Sequence, residues 1–430
     1  MGDYMDIITL ELTDMAHGGA ALGRHGGKVV FVDGGLPGET VRAVIVEDRK
    51  RYARARLVEV VEPATDRVAS PPCPHFGDPQ ARFGVRGMAA AGQFCGGCQW
   101  QHVRYAAQLR YKQAVVADQL RRIGRVEEPV VRPTLGMDHP WQYRNNAQLR
   151  LDSDGALGFV GTDGRTVVPL EVCHIIHPLL TELLEQLELD FPALETVSLR
   201  AGVNTGDQMV ILGTVDDEVP AIEIDISGSC VLQLSDGTTV TLAGSSFIQE
   251  ELLDRRFRIS AGSFFQVNTQ MAGRLVEVVR GYLDPRGYET LLDLYCGVGT
   301  FGISLADEVA EVIGVEENPM AVDDAMVNAE ALDNAHFYEG PVVAALPAID
   351  ERVDMVVLDP PRNGVEPEVL EALAKLRPSR IAYVSCDPAT LARDVHRLVE
   401  AGYRLVEVQP VDMFPQTYHI ESVALLVPSD

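Results

Sequence analysis

One cysteine of this chain stands where a thiol could act as a nucleophile. Cys386 lies in IAYVSCDPATLARD, residues 381–394, and the apolar residues 381–384 predict a buried strand. Asp387 is a typical N-cap and Pro388 a typical first helical residue, so a helix is expected to begin there. The positive end of a helix dipole stabilises a thiolate, and open α/β sheets bind ligands at this edge. The alternative is that Cys386 is a small buried hydrophobic side chain.

Two acidic residues, Glu421 and Asp359, also lie on or at the end of predicted strands. In TYHIESVALLV, residues 417–427, a strand is predicted on which His419 and Glu421 share one face, because side chains alternate along a strand. A carboxyl near an apolar surface tends to have a raised pKa, which suits a proton acceptor; the alternative is an ordinary edge-strand glutamate. In VDMVVLDPPRNG, residues 353–364, Asp359 ends a predicted apolar strand.

A glycine-rich segment predicts a cofactor site. The pattern of residues 289–306, ETLLDLYCGVGTFGISLA, indicates a strand, a glycine loop and a helix, and its loop matches the dinucleotide pattern G-x-G-x-x-G. Asp293 would turn a carboxylate towards that loop, which suits the cationic amino-acid group of S-adenosylmethionine (SAM) and repels a pyrophosphate. Glu316 ends the next strand, about where an acid would bond ribose hydroxyls. The alternative for Glu316 is an ordinary strand-end acid.

Four cysteines have the chemistry of metal ligands. Cys95 and Cys98 form a C-x-x-C pair whose two intervening glycines free the backbone to curl round a centre. With the outlying Cys73 and Cys173 they make four soft ligands, which suit structural zinc or an iron–sulfur cluster. From the spacing alone, zinc is the commoner occupant. Four unrelated buried thiols are disfavoured, because glycines rather than core residues flank the pair.

The elements that must position these residues belong to an ordinary globular chain. Its 430 residues are 46% apolar and 23% charged, which suits about three domains. The acidic N-terminus is unlike a signal peptide, and no apolar stretch reaches the length of a membrane span. We therefore expect a cytoplasmic protein whose seven cysteines serve metal binding or catalysis rather than disulfides.

The charge distribution bears on nucleic-acid binding. The net charge of −27 argues against such a partner, or indicates a high-salt cytoplasm. However, RKRYARAR, residues 49–56, and a predicted helix over about 103–123 are basic, and salt screens charges beyond roughly 10 Å. Apolar runs alternating with glycine turns over residues 1–62 predict a five-stranded β-barrel, a fold that holds oligonucleotides. The alternative is a generic barrel with RKRYARAR as a solvated edge strand.

Taken together, these motifs resemble those of the RNA 5-methyluridine methyltransferase family, in its 23S ribosomal RNA (uracil-C5) branch. The resemblance is carried by LDLYCGVGTFG, LDPPRNG, SCDPATLARD and HIESVALL in that order. It implies an α/β protein with an OB-like TRAM barrel over residues 1–62 and a central α+β cluster-binding domain over residues 63–256. A Rossmann-like SAM-dependent methyltransferase domain is expected over residues 257–430.

The resemblance also assigns roles. Cys386 would add to C6 of uracil so that C5 can take a methyl group from SAM, and Glu421 would be the general base that removes the C5 proton. Asp359 would help hold the cofactor and a base flipped out of its stack. The positions that match the family's SAM contacts are Gln266, Tyr295, Thr300, Glu316 and Asp359.

The resemblance further implies that Cys73, Cys95, Cys98 and Cys173 hold a [4Fe–4S] cluster rather than zinc. One departure is that residues 78–94 separate Cys73 from the C-x-x-C pair, which we interpret as a surface loop insertion. The expected partner is 23S ribosomal RNA, bound by a monomer away from membranes. The T-loop uridine of tRNA, a small-molecule amine substrate and a non-enzymatic RNA-binding role are the alternatives.

Overall fold

The computed structural model describes residues 7–83, 93–189, 193–217, 219, 223–349 and 352–429. It consists of two compact units. The first contains Met1–Val115, Leu149–His174 and Phe414–His419, and the second contains Val116–Gln148, Ile175–Met413 and Ile420–Asp430. Among the described residues, no helix combines the length and the apolar character that a membrane span requires.

The first unit begins with a closed barrel in the strand order β1-β2-β3-β5-β4. Its strands are β1 (Ile7–Met15), β2 (Ala21–His25), β3 (Lys28–Asp33), β4 (Thr40–Asp48) and β5 (Tyr52–Glu62). Alternate side chains of β1 are buried, as the alternating sequence requires. The predicted five-stranded barrel is confirmed. The edge-strand alternative for RKRYARAR is wrong, because β5 pairs with both β3 and β4.

The predicted insertion is only partly a surface loop over the residues that the structure describes. It contains a short helix, α1 (Pro79–Phe83), in which the Arg82 side chain is 5% exposed. The Phe83 ring packs against the apolar core of the barrel. Arg82 and Phe83 are therefore packed into the first unit, which contradicts the interpretation for these two residues, whereas Asp78 and Ala81 are exposed. Residues 84–92 lie outside the described ranges.

Three further strands and a long helix follow. They are α2 (Tyr105–Arg122), β6 (Asn146–Leu151), β7 (Leu157–Val160) and β8 (Val167–Pro169). The basic helix expected over about 103–123 is confirmed by α2. The division between the two units passes through both α2 and β6.

The second unit contains a helix, four strands in the order β12-β11-β10-β9, and a hairpin. These elements are α3 (Pro178–Leu184), β9 (Leu194–Ala201), β10 (Gln208–Thr214), β11 (Ser229–Gln233), β12 (Thr239–Ala243), β13 (Phe247–Leu252) and β14 (Arg255–Ser260). Cys230 lies in β11 and is 3% exposed, as a core residue should be.

The same unit ends in a seven-stranded sheet of order β17-β16-β15-β18-β19-β21-β20. Its strands are β15 (Thr290–Leu294), β16 (Glu311–Glu316), β17 (Ala335–Glu339), β18 (Met355–Leu358), β19 (Arg380–Ser385), β20 (Tyr403–Val411) and β21 (Glu421–Pro428). The helices of this region are α4 (Thr269–Leu283), α5 (Thr300–Leu305), α6 (Pro319–Asn328), α7 (Val342–Ala345), α8 (Pro367–Leu376) and α9 (Pro388–Glu400). Strands β15–β19 are parallel, and β21 runs antiparallel to both neighbours.

This topology brings the predicted site residues to one edge of the sheet. Strands β15, β16, β18 and β19 end there, and the antiparallel strand β21 begins there. The four residues of β18 are all buried, which explains its unbroken apolar sequence. Glu421 is the first residue of β21, so the strand predicted over residues 417–427 starts four residues later than expected. His419 consequently lies outside the strand.

Candidate active site

Cys386 follows β19 directly and precedes α9, as predicted. Asp387 is the N-cap of α9, and its Oδ1 accepts hydrogen bonds from the N–H groups of Ala389 at 2.8 Å and Thr390 at 3.0 Å. Pro388 occupies the first turn of the helix, where its missing N–H costs nothing. The Cys386 side chain is partly exposed, so this thiol is not sealed in the apolar core.

Glu421 lies beside Cys386 because of the register of two neighbouring strands. Ser385 at the end of β19 pairs with Ser422 in β21, so the next residues along each antiparallel chain are Cys386 and Glu421. Glu421 is 3% exposed, and its Oε1 has no hydrogen-bond partner among the described residues. A buried acid with an unsatisfied oxygen in such a position is poised to exchange a proton with a ligand.

Asp359 follows β18, the strand next to β19. Its Oδ2 accepts a hydrogen bond of 3.3 Å from Nε2 of Gln266, and its backbone N–H donates to the Leu294 carbonyl at 3.3 Å. The structure therefore brings together Gln266 and Asp359, two of the residues predicted to bind cofactor. Asn145, which the sequence analysis missed, donates from Nδ2 to the Gln266 carbonyl at 2.9 Å. Its contact spans 121 positions, and no local pattern marks it.

The glycine loop between β15 and α5 has the open backbone that a cofactor needs. Gly297 has φ +54°, and a Cβ added there would meet no atom within 4 Å. Beneath the loop, Asp293 is fully buried and its Oδ2 accepts a hydrogen bond of 2.8 Å from the Gly302 N–H. Asp293 Oδ1 is buried without a hydrogen-bond partner among the described residues. The Asp293 carboxylate therefore contacts the helix that follows the glycine loop, and its predicted role towards the cofactor stays a prediction.

Three more predicted cofactor residues border the same loop. Glu316 ends β16, and its Oε2 accepts a 3.0 Å hydrogen bond from the Gly297 N–H. Tyr295 has φ +61°, and its hydroxyl donates to Glu366 Oε2 at 2.7 Å. Thr300 is the first residue of α5 and is 9% exposed. The loop thus gathers one carboxylate, one phenol and one hydroxyl around an open backbone.

The electrostatics of this edge favour protonated groups. Burial, followed by the negative charges of Glu421 and Asp359, raises the pKa of Cys386 to about 12, although Arg362 opposes the shift. Burial and the charge of Asp359 raise the pKa of Glu421 well above its usual value. Burial likewise raises the pKa of Asp359 to about 7. Burial and the neighbouring acids thus hold the pKa of Cys386 above its ordinary value, and stabilisation of a thiolate by the helix N-terminus stays a prediction.

The four cysteines predicted to bind a metal, Cys73, Cys95, Cys98 and Cys173, lie in the first unit. All four are reduced cysteines, and each of Cys73 and Cys173, when ionised, would raise the pKa of Cys95 and Cys98. Their sulfurs are therefore within electrostatic reach of one another. Nonetheless, no group of three or more His, Cys, Asp or Glu side chains in the described ranges is arranged to hold a metal ion.

The sheet order, the glycine loop after β15 and the acids at the ends of β16 and β18 define a Rossmann-like, nucleotide-cofactor-binding class of enzyme. Comparison with known proteins narrows this class. Residues 226–338 and 348–428 match the family described as tRNA (Uracil-5-)-methyltransferase, and residues 2–58 match the TRAM domain.

Relatives match the chain over nearly its whole length. An uncharacterized RNA methyltransferase of Halalkalibacterium halodurans is 35% identical, covering 98% of this chain and 97% of its own length. One from Thermosynechococcus vestitus is 37% identical, covering 98% of each. The solved structure of Pyrococcus abyssi tRNA (uracil-54, C5)-methyltransferase with S-adenosyl-L-homocysteine has a TM-score of 0.73 and 28% identity, covering 97% of this chain and 100% of that one.

This chain belongs to the tRNA (uracil-5-)-methyltransferase family and carries a TRAM domain. It is a SAM-dependent RNA methyltransferase. The predicted methyltransferase fold, SAM cofactor and RNA partner are thereby confirmed. The iron–sulfur cluster and the ribosomal target stay predictions.

Proposed function

We propose that this enzyme methylates C5 of a uridine in RNA through a covalent bond between Cys386 and C6 of the uracil ring. The observation that carries the proposal is the register of β19 with β21, which sets Cys386 beside Glu421. Amine methylation would need neither a thiol nor an adjacent buried acid. The pair therefore favours carbon methylation over the small-molecule amine alternative.

The residues around the glycine loop fit SAM. The buried, unpartnered Oδ1 of Asp293 and the carboxylate of Glu316 suit a ligand with a cationic amino-acid group and ribose hydroxyls. We propose that Gln266, Tyr295, Thr300, Glu316 and Asp359 hold this cofactor. When bound, SAM supplies an electrophilic methyl group on a sulfonium.

In the proposed reaction, the thiol proton of Cys386 leaves to solvent, which reaches its partly exposed side chain. The sulfur then bonds to C6, which moves an electron pair to C5 and makes that carbon nucleophilic. Glu421 must by then have released its own proton to solvent, and after C5 is methylated its carboxylate accepts the C5 proton. The electrons of that C–H bond re-form the C5–C6 double bond, while the bond between sulfur and C6 breaks and the thiolate leaves.

The test is transfer of labelled methyl groups from SAM to undermodified RNA. Cys386→Ala is expected to abolish turnover, and Glu421→Gln to accumulate a protein–RNA adduct that survives denaturing gels, because the sulfur cannot leave before the proton does. Cys230→Ala, which removes a buried thiol from β11, is the matched control and should retain turnover. Turnover by the Cys386→Ala variant would refute the mechanism.

We propose a uridine of 23S ribosomal RNA as the target, in line with the sequence motifs. The T-loop uridine of tRNA is a second candidate, favoured by the similarity to a tRNA (uracil-54, C5)-methyltransferase structure. Mapping of 5-methyluridine in both RNAs from a deletion strain separates the two. Loss of the modification from tRNA alone would reject the ribosomal target.

We further propose that Cys73, Cys95, Cys98 and Cys173 form a ligand set for a [4Fe–4S] cluster, with zinc as the alternative. The support is the donor chemistry, the mutual reach of the four sulfurs and one orphaned cation beside them. That cation is Arg82, whose buried Nε has no hydrogen-bond partner among the described residues. A buried positive charge without a carboxylate partner suits a site that becomes anionic on metal binding.

The experiment is metal and sulfide analysis of anaerobically purified protein. Four iron and four sulfide per chain with visible absorption would support the cluster, and one zinc without sulfide would support the alternative. Protein free of both would reject the ligand set. The domain boundaries after residues 62 and 256 also stay proposals, which limited proteolysis can test.

A further inference from the structure

The loop that follows Asp359 is held from one side by a single helix. We call residues 361–366 the arginine loop, since it contains Arg362. The guanidinium of Arg393 in α9 donates to the Asn363 carbonyl at 2.8 Å. Next to it, Asp394 accepts a hydrogen bond of 3.0 Å from the Val365 N–H. Two backbone groups of the loop are thus fixed by neighbouring side chains of the helix that begins just after Cys386.

The two helix residues are themselves locked together. Nε of Arg393 donates to Asp394 Oδ1 at 2.8 Å, and its terminal nitrogen donates to Oδ2 at 3.1 Å. The Asp394 side chain is fully buried and also accepts a hydrogen bond of 2.8 Å from the Tyr383 hydroxyl of β19. Such bidentate, charge-assisted contacts fix direction as well as distance. Asp394 is therefore a buried anchor, and Arg393, whose side chain is 39% exposed, is fixed to it by two hydrogen bonds.

The backbone of the loop at Gly364 lies so close to Asp394 that a side chain would not fit there. Gly364 has φ +74°, and a Cβ there would lie 2.4 Å from Asp394 Oδ2. Its N–H donates to the Pro361 carbonyl at 2.9 Å, which closes the turn around Arg362. At its far end, Glu366 accepts the hydrogen bond from Tyr295 described above. The turn that presents Arg362 is consequently held at three points.

Arg362 differs from the other charged residues near Cys386 in the sign of its charge. Among the described residues, the charged groups with the largest effects on the Cys386 thiol are Glu421 in β21, Asp359 after β18, Asp387 at the start of α9, and the exposed Arg362. Only Arg362 in this set is positive, and it also opposes the upward shift in the pKa of Glu421. A thiol that must ionise beside three acidic side chains depends on that cation keeping its position.

We propose that Arg393 and Asp394 are positioning residues that hold the arginine loop so that Arg362 can favour ionisation of Cys386. They contact the backbone of the loop and Tyr383, and in this proposal they act through Arg362. The inference rests on the proposed role of Cys386, but it concerns the reactivity of that thiol before RNA binds. It can therefore be tested without methyl transfer.

The test measures alkylation of Cys386 by iodoacetamide between pH 7 and pH 10, followed by mass spectrometry of its peptide. Arg362→Met is expected to slow alkylation about three- to tenfold at a given pH, since one pKa unit changes the thiolate fraction tenfold. Arg393→Met should slow it in the same direction. The double variant should be no slower than Arg362→Met alone, because both changes remove one effect.

Two further variants make the result specific. Arg393→Lys keeps the charge but loses the bidentate geometry, so it should behave like Arg393→Met rather than like the wild type. Arg397→Met removes an exposed charge from the same helix and should leave the profile unchanged. Asp394→Asn is a less informative variant, because its buried site also supports Tyr383 and the protein could unfold.

A wild-type alkylation profile in Arg393→Met, or effects of Arg362→Met and Arg393→Met that multiply in the double variant, would overturn the inference. The second result would mean that Arg393 acts on the thiol directly through space. Failure of the proposed function would look different, since Cys386→Ala would then still transfer methyl groups whatever the alkylation profiles are.

Discussion

Cys386 and Glu421 illustrate how a site can suit chemistry that neither residue is ready for at rest. Burial and neighbouring carboxylates hold the thiol and the acid in their neutral forms. In our proposal, both must lose a proton before they act. A neutral resting site also avoids two unpaired charges in a partly buried cleft, which would be costly without a ligand.

The raised pKa of Glu421 has a consequence for stability. When a carboxyl has a higher pKa in the folded chain than in the unfolded chain, the folded state binds more protons between the two values, so stability falls as pH rises. Glu421→Gln removes this term while keeping the shape of the neutral acid. We expect the variant to gain at least about 1 kcal/mol over the wild type on going from pH 5 to pH 8.

Thermal or urea unfolding of both proteins across this pH range measures the difference. Glu371→Gln is the control, because it makes the same charge change at an exposed position of α8. A constant difference between Glu421→Gln and the wild type at all pH values would contradict the raised pKa. The comparison therefore reports Glu421 together with its interaction with Asp359, whose own pKa is raised to about 7.

At the scale of elements, short sequence patterns predicted the helix caps and strand ends that depend on a few adjacent residues. The N-cap Asp387 and the strand before it were predictable, because capping and alternation depend on a few adjacent residues. The same holds for Glu316 at the end of β16. The protonation state of Cys386 was not predictable, since it depends on Glu421 and Asp359, which are close only after the sheet has formed.

Helix α1, which contains Arg82, is the clearest case of an element that the sequence analysis did not predict. Its terminal nitrogen donates to the carbonyls of Cys95 and Cys98, each at 2.8 Å, and its guanidinium lies 4.4 Å from the ring centroid of Phe76. A third hydrogen bond of 3.2 Å goes to the Phe76 carbonyl. Helix α1 therefore fixes the C-x-x-C turn, although its sequence looks like an ordinary loop insertion.

Arg82→Met should consequently destabilise the first unit. It leaves buried carbonyls without donors, and each unsatisfied group costs about 1–3 kcal/mol, so we expect a loss of about 3 kcal/mol in the free energy of unfolding. Trp100, buried in this unit, allows urea unfolding to be followed by fluorescence. Arg24→Met, at an exposed position of β2, is the control. A loss below about 1 kcal/mol would show that the turn is held by other contacts.

At the scale of the whole molecule, 63 acidic residues against 36 basic ones give the net charge of −27. The barrel arginines do not form an unpaired basic surface that would offset this charge, since Arg42 and Arg49 form ion pairs with Glu59 and Glu47. An RNA partner must approach a molecule that repels it at long range. Salt shortens that repulsion to roughly 10 Å at 0.1 M and less above, while leaving close contacts between arginine and phosphate.

The same charge should make stability depend on salt. Like charges spread over one compact chain repel each other, and the repulsion is relieved when the chain unfolds, so screening favours the folded state. We expect the melting temperature to rise steeply between about 0.02 and 0.5 M KCl and then to flatten, because the Debye length falls only slowly at higher salt. Calorimetry across this series measures the effect. If the melting temperature stays constant or decreases as KCl rises to 0.5 M, the ion pairs of the fold, which salt weakens, outweigh the net repulsion.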